Sequence, residues 1–582
     1  MTDIEKNAGK ASVTGEDLAS VLLRHTHEYD LYVATLNPTL KEGGGHGLKK
    51  ALSSRQVSMI ALGGALGTGL LIGTGSALKA AGPGAIFVAY SAIGFVVFMV
   101  MTALGEVAAF IPLNGFANYC QRYVDDALGF ACGYVYLFKY LILPANQLVA
   151  GSMTMQYWVK AERVNPAIWV LVFHIVIVII NLAGVRFFGE IEFWISSIKV
   201  ITCLGLILLL WIIALGGGPN NDRIGFRYWK NPGAFLEFSS GKDFVIHGSK
   251  GRFVAFVSVL VTAVFAYLGT ELVGITFAET RNPRKSIPKA IRLTFYRIVV
   301  FYVLSILFLG MSVSPRDPLL MSPDGNSSSA SASPFVIAIR NANISGLPHV
   351  INAAILLFVL SAANSDMYVC SRTIYSLAVA GYAPKFFLKT NRMGVPYYGI
   401  ALSFAFCCLA YMTASDDART VFNYFVNVVS LTGLIAWSCI LVIHLRFMKA
   451  LKVQGFDRTR DLAYKSPLQP YGSYAALFIC VLIIFIKNFT VFIHKFDYKN
   501  FITGYIVLPV FVIMYFGWKI IFKTKIVRAE DIDLDTFRDV IDAEAIKFDR
   551  EDEERAALME AEGKNKWTNP KFLYEKVFGW IF

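Results

Sequence analysis

The chain has 582 residues, of which 55% are hydrophobic and only 16% charged, with a formal net charge of +13. Those proportions exclude an ordinary soluble domain and point to an integral membrane protein. The basic residues lie mostly between apolar runs rather than in one soluble block, which argues against a nucleic-acid partner and reads as topology information.

About 55 mostly polar residues come first, so the first apolar run is expected to be the insertion signal rather than a cleaved leader. A window of about 19 residues then places twelve membrane helices near 57–80, 84–110, 129–155, 167–184, 194–215, 253–278, 295–313, 349–371, 397–413, 421–445, 472–492 and 503–524. Only a bilayer satisfies so many. The expected organisation is a cytosolic tail over 1–55, a membrane domain over 56–525 and a second cytosolic tail over 526–582. That second tail is rich in Asp and Glu from about 528 to 562 and is expected to be solvated, with some amphipathic helix.

Twelve spans put both tails on one side. The same side receives three basic groups: Arg281, Arg284, Lys285, Lys289 and Arg292; Arg372, Lys385, Lys389 and Arg392; and Arg446, Lys449, Lys452, Arg458, Arg460 and Lys465. These argue for cytoplasmic termini, against a smaller opposing set in the loop from about 216 to 252. The sequons at Asn326 and Asn343, the former opening a low-complexity NSSSASAS stretch, would then face outward. Seven of the eight cysteines fall within predicted spans and Cys120 in a loop. With no CxxC or metal spacing, they read as small apolar residues rather than a disulfide framework or a metal site.

In the first span, GGALGTGLLIGTG at 63–75 is denser in glycine than a lipid-facing helix favours. An unwound stretch at that depth is tolerable where it lines a cavity, and its free N–H groups can hold a carboxylate. Close helix packing through small residues is the competing reading. The sixth span supplies the counterpart, YLGTELVG at 267–274, which places Gly269, Thr270 and Glu271 inside an apolar run. Paired interruptions in the first helix of each half are the arrangement expected of inverted-repeat transporters with a midplane site.

Ionisable groups inside the spans need partners, because an unpaired charge near the bilayer centre costs roughly 2.5–3.5 kcal/mol. Lys139 lies about ten residues into the third span, with Pro144 placed to open the helix. An anionic substrate would supply its counter-charge; a permanent pair with a carboxylate such as Glu271 is the alternative. Lys199, read as about a turn and a half into the fifth span, could serve as a proton-coupling ammonium or snorkel to the interface. Glu106 closes the second span and reads as a gate or packing contact, and Asp366 on the eighth reads as an end-of-helix charge.

At these residues the chain resembles the amino acid–polyamine–organocation superfamily, and within it the fungal amino acid permeases, from about residue 48 to 525. GGALGTGLLIGTG, GTELVGITFAETRNPRKSIPKAI at 269–291 and SAANSDMYVCSRTIYSLAVAGYAP at 361–384 carry the likeness. It implies an all-α membrane fold of about twelve transmembrane helices: a 5+5 inverted repeat with helices 1 and 6 broken, plus two C-terminal helices. It also implies import of amino acids with protons. FKYLILPANQL, FRYWKNPGAF and KNFTVFIHKFDYKNFITGY are similar to the dicarboxylic amino acid permeases, which implies glutamate and aspartate as substrates. Relatives that handle neutral or basic amino acids tend to carry Glu where Gln147 stands and uncharged residues around Lys139. Losing a negative charge and gaining a positive one suits an anionic cargo.

By the same resemblance, Gly67, Thr68 and Gly69 would bind the substrate α-carboxylate, and carbonyls near Phe265 to Gly269 its α-amino group. Glu271 would tune or relay the proton, Lys199 would stand where other carriers hold sodium, and Asn364 and Ser365 would line the pocket. The expected function is proton-coupled uptake of acidic amino acids by alternating access at the plasma membrane, with no cofactor and with amino acid, protons and bilayer as partners. A primary pump is disfavoured, since no GxxxxGK[ST] loop occurs in a soluble segment. A carrier tuned to neutral amino acids and a receptor with little transport are the rival readings. Composition and spacing say nothing of oligomeric state.

Overall fold

In a computed structural model of the chain, the described residues run from 66 to 554, with breaks at 114, 241–243, 273, 275–282, 322–332, 416–417, 494–495, 537, 539–545, 549 and 551–552. The start of the first span, most of the stretch after Glu271, and the sequon at Asn326 lie outside them.

Ten helices among the described residues are long and apolar enough to cross a membrane. A shorter apolar helix, Pro166–Leu182, and the broken first span complete the expected series. The described part of the first span opens with a bend at Leu66 and Gly67, passes through a wide π turn, Gly69–Gly73, and continues as α1, Thr74–Ala81. Gly82, at φ +88°, turns the chain into α2, Pro83–Phe110, whose proline occupies the first helical turn where no N–H is needed.

The short α3, Phe116–Tyr123, precedes α4, Asp126–Met155. Cys120, expected in a loop, is therefore helical and buried. Asp125 starts α4 by accepting a hydrogen bond from the Leu128 amide at 2.7 Å. Pro144 does not open α4, which runs through it unbroken. Then come α5, Pro166–Leu182, and α6, Val185–Ala214. A two-residue hairpin, β1 Ser239–Ser240 with β2 Phe244–Val245, lies in the connection to α7, Gly248–Tyr267.

After the second break, α8, Pro283–Arg297, continues through a π stretch, Ile298–Leu304, into α9, Ser305–Ser312. Two short helices follow, α10, Pro318–Met321, and α11, Pro334–Asn341. The rest is helical: α12, Leu347–Val379; α13, Tyr397–Cys407; α14, Ala418–Val453; α15, Tyr471–Ile486; α16, Tyr498–Tyr505; and α17, Val507–Phe522.

Burial sorts these helices into layers. The apolar stretches of α4 and α14 are 78% and 83% buried and form the centre, with α12 packed on α4. That of the last span, α16 with α17, is only 6% buried, and Ile513, Phe516, Ile520 and Ile521 of α17 face outward as a lipid-facing surface does. Its last turns are anchored at the start of α4: Lys519 Nζ reaches Asp125 Oδ2 at 2.8 Å, and Trp518 Nε1 donates to Asp126 Oδ2 at 2.7 Å.

The reading of the chain from about 528 as a solvated tail is corrected at its start. Ile532 and Leu534 are buried, and the Val527 amide donates to the Val124 carbonyl at 2.9 Å. Arg122 donates to the Asp533 and Thr536 carbonyls, Gln454 to those of Ala529 and Ile532, and Arg446 to that of Val527. Backbone carbonyls that side chains can satisfy let this segment dock despite its acidic composition.

Candidate functional site

The site is assembled where the described part of the first span starts its helix and where α7 ends. At the sixth span α7 ends at Tyr267; Leu268 is extended and Gly269 takes φ +90°, a conformation glycine adopts without strain. Thr270 Oγ1 donates to the Tyr267 carbonyl at 2.6 Å and so helps close the broken end. Opposite lies the bend and π turn with which the described part of the first span opens. A Cβ on Gly69 would stand 2.4 Å from Ala266 Cα, so the widened turn of the first span touches the backbone of the last turn of α7.

Between them lies a cavity of about 20 Å³ lined by Gly67, Thr68, Gly69, Leu143, Gln147, Phe265, Ala266, Leu268, Gly269 and Asp366. That is room for a water rather than an amino acid. Thr68 and Gly69 at the described start of the first helix, and Phe265 and Ala266 at the end of α7, line the cavity; a helix start carries free N–H groups and positive dipole, and a helix end free carbonyls and negative dipole. Such a pair complements the carboxylate and ammonium of an amino acid zwitterion. Among the described residues, Thr68 Oγ1, Gln147 Oε1, Ser365 Oγ and both polar atoms of Asn146 are buried without a hydrogen-bond partner. Buried polar atoms left open in this way concentrate where a ligand binds.

The sequence agrees with this architecture, matching the amino acid permease family over residues 56–530. The chain belongs to that family. This permease is 55% identical to the dicarboxylic amino acid permease of Saccharomyces cerevisiae over 536 residues, covering 92% of this chain and 87% of the relative. It is 41% identical to the lysine-specific permease of the same yeast, over 85% of this chain and 80% of that one. With the proline-specific permease of that yeast the identity is also 41%, over 82% and 76%. The protein is thus a multi-pass membrane transporter of amino acids and not an enzyme.

Of the residues expected at the site of this permease, Gly67, Thr68, Gly69, Gln147, Phe265 and Gly269 meet at the cavity wall. Lys139 does not line it. Its Nζ pairs with Glu271 Oε1, both side chains fully buried, and lies 4.9 Å from the Tyr140 ring centre and 5.6 Å from that of Tyr136. Trp437 Nε1 holds Glu271 Oε2 at 3.3 Å. The internal pair named as the alternative for Lys139 is the arrangement present in this conformation.

Asn364 also turns away, its Oδ1 accepting from Asn181 Nδ2 on α5 at 2.8 Å. Thr270 and Ser365 are buried beside the site without lining it. Lys199 is fully buried midway along α6, because the helix begins at Val185 rather than near 194; it does not snorkel. Its Nζ stands 3.8 Å from Glu192 Oε1, which in turn accepts from Ser361 Oγ at 2.5 Å. Glu192 went unnoticed in sequence, and its spacing of seven residues before Lys199, two helical turns, is the signal that could have found it.

Glu106 stands apart in the last turn of α2. Arg458 grips it with Nε and Nη2 at 2.7 and 2.8 Å, His444 Nε2 lies 3.1 Å away, and the Ser466 hydroxyl donates to it. This fastens α2 to α14 and to the connection between α14 and α15. Asp366 requires a correction: it is no end-of-helix charge. It lies well inside α12, is buried, and faces the cavity, with Gln147 Nε2 3.5 Å from its Oδ2.

Proposed function

We propose that this permease is a symporter that brings acidic amino acids, glutamate and aspartate, inward across the plasma membrane together with protons, with both termini in the cytoplasm. The observation that carries the mechanism is the contact of the two helix breaks at the Gly69–Ala266 crossing, beside a cavity whose ends suit a zwitterion. The substrate class is supported by the 55% identity to a relative named for dicarboxylic amino acids, against 41% for those named for lysine and proline. Gln147 in the wall and Lys139 behind it give the site no fixed negative charge on α4 to repel an anion.

A proton requirement follows from charge. One elementary charge crossing 100 mV is worth about 2.3 kcal/mol, so an anion entering a negative-inside cell is opposed unless protons over-compensate. More than one proton per glutamate is expected. Glu271 and Lys199, each held in a buried ion pair, are the candidate coupling groups, since either pair can be opened by a proton or by the cargo.

Radiolabelled uptake over the common amino acids, at two pH values and in a strain without its own carriers, tests the reading. Aspartate is expected to compete with glutamate where alanine does not, and uptake is expected to rise at acid pH with inward current. Outward current during glutamate entry overturns the coupling. A neutral amino acid carrier is the second reading, favoured by the closed Lys139–Glu271 pair, which leaves no free cation on α4 in this conformation; equal competition by alanine would establish it.

A further inference from the structure

Charges around the cavity do not balance. Lys139 is matched by Glu271 and Lys199 by Glu192, all four side chains fully buried. Asp366 is left over. Among the described residues no lysine, arginine or histidine comes within ion-pair distance of it, and its hydrogen-bond contact, from Gln147, is long at 3.5 Å. The ionisable groups within electrostatic reach are Lys139, Tyr136 and Tyr140 on α4, Lys199 on α6, Glu271 beyond α7, Cys370 on its own helix and Cys407 on α13. The two lysines are already committed to other carboxylates, and the rest are neutral or negative.

A carboxylate with no cation of its own is costly at this depth, and an acidic amino acid adds a second negative charge to the same small space. Two carboxylates in one dry site cannot both stay ionised; they share a proton instead. The helix ends that suit the α-carboxylate and α-ammonium lie on the first and sixth spans. The side-chain carboxylate is thereby left facing α4 and α12, where Gln147 and Asp366 stand.

We infer that Asp366 is a proton-carrying residue of the transport cycle, taking up one proton as an acidic substrate enters and donating the resulting O–H to the substrate's side-chain carboxylate. The proton comes from the solution on the side to which the cavity is open and bonds to one Asp366 oxygen. That bond breaks when the cavity opens to the other side, and proton and substrate leave together. No bond of the substrate changes. The inference rests on the acidic-substrate reading above and adds the group that carries one of its protons.

The test uses the full chain, purified in detergent and reconstituted. On binding glutamate in weakly buffered solution with a pH indicator, the wild type is expected to take up a proton. In vesicles its KM for glutamate is expected to rise about tenfold per pH unit above the titration of the group. Asp366→Asn keeps the size and a hydrogen-bonding amide; it is expected to take up one proton fewer per glutamate bound and to lose the tenfold-per-unit slope that this proton contributes. Glutamate counterflow survives in it, while accumulation driven by a proton gradient is reduced. Asp366→Glu keeps an acid and retains the pH slope.

A wild-type slope in Asp366→Asn overturns the inference, and so does loss of glutamate binding in that variant while Asp366→Glu binds normally, since Asp366 would then contact the substrate ammonium. Where Asp366→Asn yields no folded protein, the wild-type measurement decides: glutamate bound without proton uptake overturns the inference alone. If the wild type binds no acidic amino acid at all, the acidic-substrate reading falls and takes this one with it.

Discussion

Lys139 on α4 and Glu271, just beyond the break in the sixth span, form an ion pair in which neither side chain is exposed, so the central helix is tied to the broken one by charge. Any movement that opens the cavity between them must lengthen, keep or replace that pair.

The first prediction separates its structural and substrate roles. Lys139→Ala strands Glu271 in a dry site at a cost of about 3–5 kcal/mol, and is expected to lower the amount of folded protein recovered in mild detergent. Lys139→Ala combined with Glu271→Gln removes both charges and is expected to restore that amount. In the double variant, uptake of acidic amino acids is expected to fall about tenfold further, or 1.4 kcal/mol, than uptake of neutral ones. Equal loss of both classes in competition assays would assign the pair to structure alone.

Gly69 and Gly67 should respond differently to the same change. A Cβ on Gly69 strikes the Ala266 backbone at 2.4 Å, which cannot move without displacing α7, whereas one on Gly67 meets nothing closer than Ala362 Cβ at 3.9 Å. Gly69→Ala is expected to reduce initial uptake by more than about tenfold, a barrier change near 1.4 kcal/mol, with the protein still in the membrane. Gly67→Ala is expected to stay within about twofold, a few tenths of a kcal/mol on the same scale. Uptake rates normalised to surface protein check both.

The Glu106 junction predicts a stability effect without a primary binding defect. Its carboxylate is fully buried and gripped by a guanidinium that is 19% exposed. Glu106→Ala leaves Arg458 and His444 without their anion and is expected to cost on the order of 3 kcal/mol. Arg458→Lys loses the fork geometry and is expected to cost less. Thermal unfolding of the purified protein should rank wild type above Arg458→Lys, and that above Glu106→Ala; glutamate affinity in the folded fraction should change little.

Docking of the segment after α17 predicts protease protection. Arg122 and Gln454 each satisfy two or more of its carbonyls, and Arg122 Nη2 also lies 3.2 Å from Asp533 Oδ2. Arg122→Ala or Gln454→Ala is expected to speed tryptic cleavage near Arg528 and Arg538 severalfold, because local opening needs only a few hydrogen bonds to be lost. Limited proteolysis followed by mass determination of the fragment reads this out. Unchanged cleavage rates would mean that the contacts of Ile532 and Leu534 hold the segment unaided.

What could be read from the sequence and what could not divide along a physical line. Hydrophobic length is a local property, so the expected helices appear where their apolar runs lie, even though α6 starts earlier than expected and α4 passes through Pro144. Glycine density is local too, and the two breaks fall at the glycine-bearing stretches that announced them. The identity of the cavity-lining backbone at Gly67, Gly69 and Gly269 was legible for that reason.

Charge partners on different helices are not local, and only the tertiary structure chose them. Seen in one dimension, Lys139 faced either a substrate or Glu271, Lys199 either a relay or the interface, and Asp366 the end of a helix. Packing α4 against α12 and the broken spans joined Lys139 to Glu271 and left Asp366 facing the cavity, whereas Lys199 and Glu192 share α6 and packing decided only their burial. The reason is that an apolar medium enforces pairing wherever two charges end up close. Which charges end up close depends on helix rotation and depth, and both are set by side chains far apart along the chain.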